Sequence, residues 1–283
     1  MRFLFSTGSL YTYSIARCFE FATAAGFDGI ELMVDHRWDT RQPAYINRLV
    51  QRWGIPVDAV HAPLRPIPGW IGGVPAHIEH TLALAEDVGA AILVHHLPMQ
   101  VGFGELTMQG RHYLIPFPWW RMHRDYIVWL DDGYSQLQEG TEVQLCIENM
   151  PAKRYLGRLW SPSPWNTVEE IQHFTSLTMD TTHLGTWGLD PTEVYKRWDV
   201  RVKHIHLSNY DGREHRRPEV GELGLDRLLM HLAATDYSGT ITIEVSPDAL
   251  EAGCEDARMV QLLATSLAYC RKWATADKSR EER

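Results

Sequence analysis

A single-domain (β/α)8 TIM barrel of the α/β class is the fold the sequence predicts, on three observations. Eight short apolar runs recur along the 283 residues, and helical patterns fill the intervals between them. The runs are rich in Val, Ile and Leu and mostly lack clean polar alternation, as buried parallel strands do. The length fits as well, since such barrels take about 250 residues before insertions. A doubly wound open sheet is the alternative, but no G-x-G-x-x-G or Walker-type glycine loop follows the first run.

Taken in order, "RFLFS" at 2–6 is the first predicted strand, and "YSIARCFEFATAA" at 13–25 follows it as a helix. That helix places Ile15, Phe19 and Phe21–Ala22 on one stripe and stops at Gly26. "GIELMV" at 29–34 precedes a helix near 42–53, and "VDAVHA" at 57–62 precedes one at 75–89, opening on Pro and closing on Gly. "AILVHH" at 91–96 leads into the stretch 97–125, longer than an ordinary βα connection, and then a helix near 119–138. The remaining strands are "VQLCIE" at 143–148, "LTMD" at 177–180, "VKHIHLS" at 202–208 and "ITIEVS" at 241–246. Helical patterns near 167–175, 191–198, 223–235 and 252–274 follow them. With no linker, repeat or low-complexity segment, one domain is expected over 1–275, with a charged C-terminal tail at 276–283.

Composition narrows the function classes. A net charge of −9 disfavours nonspecific attraction to phosphate backbones, so no nucleic-acid partner is expected. No run of about 18 apolar residues is present, so no membrane span is expected. "MRFLFSTGSLYTYS" lacks the long apolar region of a signal peptide. Cys18, Cys146, Cys254 and Cys270 are scattered without metal-type spacing and read as reduced buried thiols of a cytoplasmic protein.

Active sites of such barrels gather at the C-terminal ends of the strands. Those ends carry Glu31, His61, His95–His96, Glu148, Asp180 with His183, His206, and Glu244. Burying ionisable groups among Ile and Val is costly unless they are paired or bound to metal. Glu148, Asp180, His206 and Glu244 together offer three carboxylates and an imidazole, a set suited to one divalent ion: Zn, Mn, Co or Mg. His61 and His95 can serve a second ion with Glu148 bridging, and His183 and His215 another ion or the substrate. Each has a plainer explanation: an ion pair for the carboxylates, a hydrogen-bonded core position for the histidines. His96 and His204 are read as structural, with His204 or His206 filling the barrel interior, and Glu31 as a salt-bridge partner or site residue.

The stretches "GFDGIEL" at 26–32, "IENMP" at 147–151, "MDTTHLG" at 179–185, "HIHLSNYDGREH" at 204–215 and "TIEVSP" at 242–247 carry a family resemblance. The chain resembles the xylose-isomerase-like TIM barrel superfamily, which includes sugar (phosphate) isomerases and epimerases, inosose dehydratases and endonuclease IV. The resemblance implies one catalytic metal held by Glu148, Asp180, His206 and Glu244. In the endonuclease branch the extra histidines match His61, His95 and His183, but its Asp-x-His after the seventh strand stands here as Arg213-Glu214-His215. The usual "PGEG" beyond it reads "PEVG" at 218–221, so a trinuclear zinc site is not expected.

The expected function is a metal-dependent isomerase or epimerase of a sugar, sugar phosphate or related polyol. It works by proton transfer beside a carbonyl, with Glu148 and Glu244 as the catalytic carboxylates. Arg213 and Arg217, with Arg216 beside them, are candidates for holding a phosphate or hydroxyl-rich end, unless they form a solvated loop. Trp119 and the neighbouring Phe103, Tyr113, Phe117 and Trp120 suggest a lid or stacking surface next to "GRLWSPSPW" at 157–165, or equally loop packing or a subunit contact. A dehydratase of a cyclic polyol, an endonuclease-IV-like phosphodiesterase and a noncatalytic binding protein are the alternatives. Homo-oligomerisation is left open.

Overall fold

The computed structural model describes residues 1–108, 111–155 and 158–275, with the backbone alone at 103–108, 111–121 and 155. Eight parallel strands close into a barrel: β1 (Arg2–Ser6), β2 (Gly29–Met33), β3 (Val57–His61), β4 (Ile92–His96), β5 (Gln144–Glu148), β6 (Leu177–Asp180), β7 (Val202–Leu207) and β8 (Thr240–Ile243). Neighbours in sequence are neighbours in space, and β8 returns to β1 with Arg2 opposite Thr240 and Phe5 opposite Ile243.

Side chains alternate across each strand, and this sorts the residues into two layers. Leu4, Ala59, Ile92, Val94 and Cys146 make a small cluster inside the barrel. Their chain neighbours Phe3, Phe5, Val60, Leu93, Leu145 and Ile147 face outward into the larger core beneath the helices. The inward series continues up the strands to His61, His96, Glu148, Asp180 and His206, so the polar residues crown an apolar plug.

Eight α-helices surround the strands among the described residues: α1 (Ile15–Ala25), α2 (Pro43–Trp53), α3 (Val74–Val88), α4 (Arg124–Glu139), α5 (Thr181–Thr186), α6 (Pro191–Trp198), α7 (Leu225–Ala234) and α8 (Asp256–Thr275). Gly26 ends α1 at φ 87°, its N–H reaching the carbonyls of Ala22 and Thr23; only glycine enters that left-handed region without a Cβ penalty. Proline opens α2, α3 and α6, where no intrahelical N–H is needed. No helix among the described residues is long and apolar enough to cross a membrane.

Three connections depart from expectation. The helix expected near 167–175 is a single 3-10 turn, Glu170–His173, and β6 is followed by two helices instead. The stretch after β4 is an antiparallel hairpin, Val101–Met108 with Arg111–Arg121, and α4 starts only at Arg124. A second hairpin, Lys153–Tyr155 with Arg158–Trp160, follows β5. The two insertions are adjacent, since the Gln100 N–H donates to the Pro162 carbonyl at 2.9 Å. The four cysteines are free thiols; Cys18, Cys146 and Cys270 are buried, while Cys254 is partly exposed.

Candidate metal centre

Glu148 at the end of β5, Asp180 at the end of β6, His206 on β7 and Glu244 just past β8 each bring one donor atom within 4.8 Å of the other three. His206 Nδ1 lies 2.9 Å from Glu244 Oε2, 3.3 Å from Glu148 Oε1 and 3.9 Å from Asp180 Oδ2. Donors sharing one ion through bonds of about 2.0–2.3 Å stand about 3–4.5 Å apart, so the set is close to a coordination shell. Two of its atoms, Asp180 Oδ2 and His206 Nδ1, are buried without a hydrogen-bond partner. Buried polar atoms are rarely left so, and a divalent cation would satisfy both. The residues present therefore fit the metal that the donor chemistry calls for.

Electrostatics agree. Burial pushes the Asp180 carboxyl up to about 8, with His215 and His206 opposing and the Glu148 and Glu244 charges adding. Glu148 also suffers burial, but His206, His96 and His61 outweigh it and hold its carboxyl well below the usual range. His206 is pushed down by burial, and the surrounding Glu31, Glu244 and Glu148 reverse this and raise it well above an ordinary imidazole. A divalent cation among these groups would favour the ionised form of Asp180, whose carboxyl burial otherwise raises.

Local structure aims these groups. Asp180 is the N-cap of α5: its Oδ1 accepts from the His183 N–H at 2.8 Å, which leaves Oδ2 for the cluster. Buried Asn149 imitates a strand beside it, accepting from the Asp180 N–H at 2.8 Å and donating to the Asp180 carbonyl at 3.1 Å. Regular β5–β6 pairing stops at Thr178 opposite Glu148, so the Asn149 side chain carries the ladder further. Its own carbonyl accepts from His183 Nδ1 at 2.7 Å, which turns Nε2 of that ring outward.

Beneath the cluster, Glu31 on β2 is fully buried and reaches His206 Nε2 at 3.1 Å and His204 Nε2 at 2.6 Å. The Thr242 hydroxyl donates to Glu31 at 2.8 Å. His204 is thus the inward residue one layer below His206, as its strand face requires. Burial pushes Glu31 up, but the two imidazoles outweigh it and keep the carboxyl ionised. The sequence leaves Glu31 open between a salt-bridge partner and a site residue; an acid at an inward position of an apolar strand, facing two inward histidines, is the signal that marks it.

His61 and His96 both approach Glu148 Oε2, at 3.2 and 3.1 Å. The expectation that His95 would join His61 is corrected here. Adjacent strand residues face opposite ways, and His95 falls on the outward side with Leu93 and Leu97. Its Nδ1 meets the Tyr126 hydroxyl of α4 at 2.6 Å, and burial pushes its pKa down to about 3. His96, read as structural from the sequence, takes the inward place.

His183 and His215 stand edge to face, ring centres 5.5 Å apart, and with Asp180 form another group of mutually close donors. His215 sits at φ 56°, held there by its N–H to the Thr182 hydroxyl and its carbonyl to the Ser246 N–H. Glu214 Oε2 approaches His183 Nε2 at 3.9 Å. The arginines expected to meet substrate are each engaged by carboxylates: Arg213 by Asp211, Arg216 by Asp211 and Asp248, Arg217 by Glu219. Trp119, Phe103, Tyr113, Phe117 and Trp120 have side chains outside the described part of the structure.

Comparison with known proteins follows the same lines. The family model described as xylose isomerase-like TIM barrel matches residues 19–266. An uncharacterized protein of Mycobacterium leprae is 27% identical over 293 residues, covering 95% of this chain and 96% of its own. The 3-keto-D-glucoside 4-epimerase of E. coli superposes with a TM-score of 0.67 at 18% identity, covering 96% of this chain and 99% of that one. An AP endonuclease, family 2, of Brucella melitensis gives 0.62 at 16% identity, over 87% and 93%. At these identities the structural likeness speaks for the fold alone.

Proposed function

The chain belongs to the xylose isomerase-like TIM barrel family, and on that premise we propose that it is a metal-dependent isomerase or epimerase of a sugar, sugar phosphate or related polyol. The observation that carries this reading is the convergence of three carboxylates and one imidazole on one spot, with Asp180 Oδ2 buried there without a hydrogen bond. Glu148, Asp180, His206 and Glu244 would hold the ion. When bound, a divalent cation supplies Lewis-acid polarisation of a substrate carbonyl.

The proton chemistry falls to the chain itself. Glu148 and Glu244 come from β5 and from just past β8, three strands apart around a ring of eight, and would flank a small molecule bound between them from two sides. Their environments differ. Glu148 is sealed at 1% side-chain exposure and touched by His61, His96, His183 and His206, whereas Glu244 keeps 14% and reaches solvent. Glu244 is accordingly the carboxylate that exchanges its proton with water, and Glu148 the one whose proton is retained between the two faces. Sugar epimerases share this fold, which supports the substrate class.

A second reading has its own observation: His61–Glu148–His206 and Asp180–His183–His215 are further groups of close donors, as a multinuclear phosphodiesterase needs. Against it, position 213 holds an arginine paired with Asp211. One experiment separates the two. Purified protein is assayed for metal content and screened in deuterated water against ketoses, their phosphates and inositol derivatives. A single divalent ion per chain with deuterium entering the carbon beside the carbonyl is the expected result. Several zinc ions with cleavage of abasic DNA and no exchange would overturn it, and a product about 18 Da lighter would identify a dehydratase instead.

A further inference from the structure

We propose that Glu31 is a positioning residue that fixes which ring nitrogen of His206 faces the metal. The argument rests on the reading of Glu148, Asp180, His206 and Glu244 as ligands, and proceeds by hydrogen-bond accounting. A carboxylate has acceptors and no hydrogen to give. Three groups converge on the one from Glu31, all of them fully buried: His204 Nε2 at 2.6 Å, the Thr242 hydroxyl at 2.8 Å and His206 Nε2 at 3.1 Å. Each must therefore present a hydrogen.

For His204 the consequence is consistent, because its other nitrogen, Nδ1, meets the Thr240 hydroxyl at 2.6 Å and can accept from it. For His206 the consequence is functional. With Nε2–H committed to Glu31, Nδ1 is the nitrogen that would give its lone pair once a cation displaces its proton, and it is the one that faces Glu148, Asp180 and Glu244. Glu31 reaches this arrangement from β2, on the side of the barrel away from the four ligands, and Thr240 and Thr242 anchor it from β8. The donor atoms of Glu31, His204 and His206 also lie within 4.8 Å of one another, close enough for three ligands of one ion. At 2.6 Å, however, the Glu31–His204 contact is a hydrogen bond with no space for an ion between the two atoms.

Carboxylates behind a metal-bound histidine commonly set its tautomer and ring angle, and removing one lowers metal affinity about 10–100-fold. The test uses metal-stripped full-length protein titrated with Co²⁺, and Zn²⁺-loaded protein examined by ¹⁵N NMR of the histidine rings. The expected results are Nδ1 coordination of His206 in the wild type with a slowly exchanging Nε2–H. In Glu31→Gln, that N–H signal should be lost and Co²⁺ affinity, corrected for the folded fraction, should fall about 10–100-fold. Equal Co²⁺ affinity in folded wild type and Glu31→Gln overturns the positioning role alone. So does His206 coordinated through Nε2 in the wild type, a measurement that does not depend on any variant folding. A wild type that binds no Co²⁺ overturns both this role and the reading it rests on.

Discussion

Residue by residue, the proposed site gives two of its four carboxylate and imidazole groups, Glu148 and Glu244, a second task in proton transfer, and substitution should expose it. Glu244→Gln keeps the shape and loses the exchangeable carboxylate, so turnover should drop about 10²–10⁴-fold with melting unchanged; unchanged turnover would remove Glu244 from the proton transfer. His95 gives a pH prediction. Burial lowers its pKa from 6.5 to about 3, so below pH 6.5 the unfolded chain binds a proton that the folded one refuses. Stability contributed by neutral His95 is complete above 6.5 and lost as pH falls towards 3, at about 1.4 kcal/mol per pH unit. Urea midpoints at pH 7 and pH 5 should converge in His95→Gln relative to wild type; an unaltered pH dependence would contradict its buried neutral state. His95 and His96 also show what one chain can reveal. The dipeptide at the end of β4 was legible as a site feature, but which ring faces inward depends on strand register, and only the closed barrel fixes that.

At the scale of elements, the turn from β6 into α5 does two tasks with one side chain. Asp180 Oδ1 caps the helix while Oδ2 stays in the metal cluster. Asparagine caps about as well as aspartate, so Asp180→Asn should melt within about 1 kcal/mol of wild type while losing most of its metal affinity. A large fall in melting with affinity intact would reverse that assignment. The hairpin 101–121 makes a contrasting case. Its ends meet where the Met122 N–H donates to the Gln100 carbonyl at 3.2 Å, and among the described residues its two strands pair only with each other. Replacing 101–121 by a short glycine linker should leave barrel circular dichroism and melting near those of the wild type. The sequence hid this hairpin because Pro116 and Pro118 argue against a strand, although self-paired strands tolerate proline where no ladder donor is needed. The helix expected near 167–175 differs in another way: only the 3-10 turn Glu170–His173 forms there, with Ile171 as its buried residue.

Taken whole, the molecule is a barrel whose eight strands were readable because both faces of every strand are buried and each reads as an apolar run. The four residues proposed as ligands stand out in the sequence for the same reason, since charge in such a run demands an explanation, and the barrel brings their donor atoms together. The supporting groups stand out less: Glu31, Asn149 and His96 acquire meaning only through partners far along the chain, as in the contact of Glu31 with His204. Folding and metal binding should be linked, because the cluster is assembled only in the closed barrel. Metal at a hundred times its dissociation constant should add about 2.7 kcal/mol to unfolding, seen as a higher melting temperature that Asp180→Asn abolishes. The most direct measurement is a crystal structure of Mn²⁺-soaked protein with anomalous differences recorded. One peak bonded to Glu148, Asp180, His206 Nδ1 and Glu244 is the predicted result. No peak there, or a peak on His61 and His96 alone, would contradict the account.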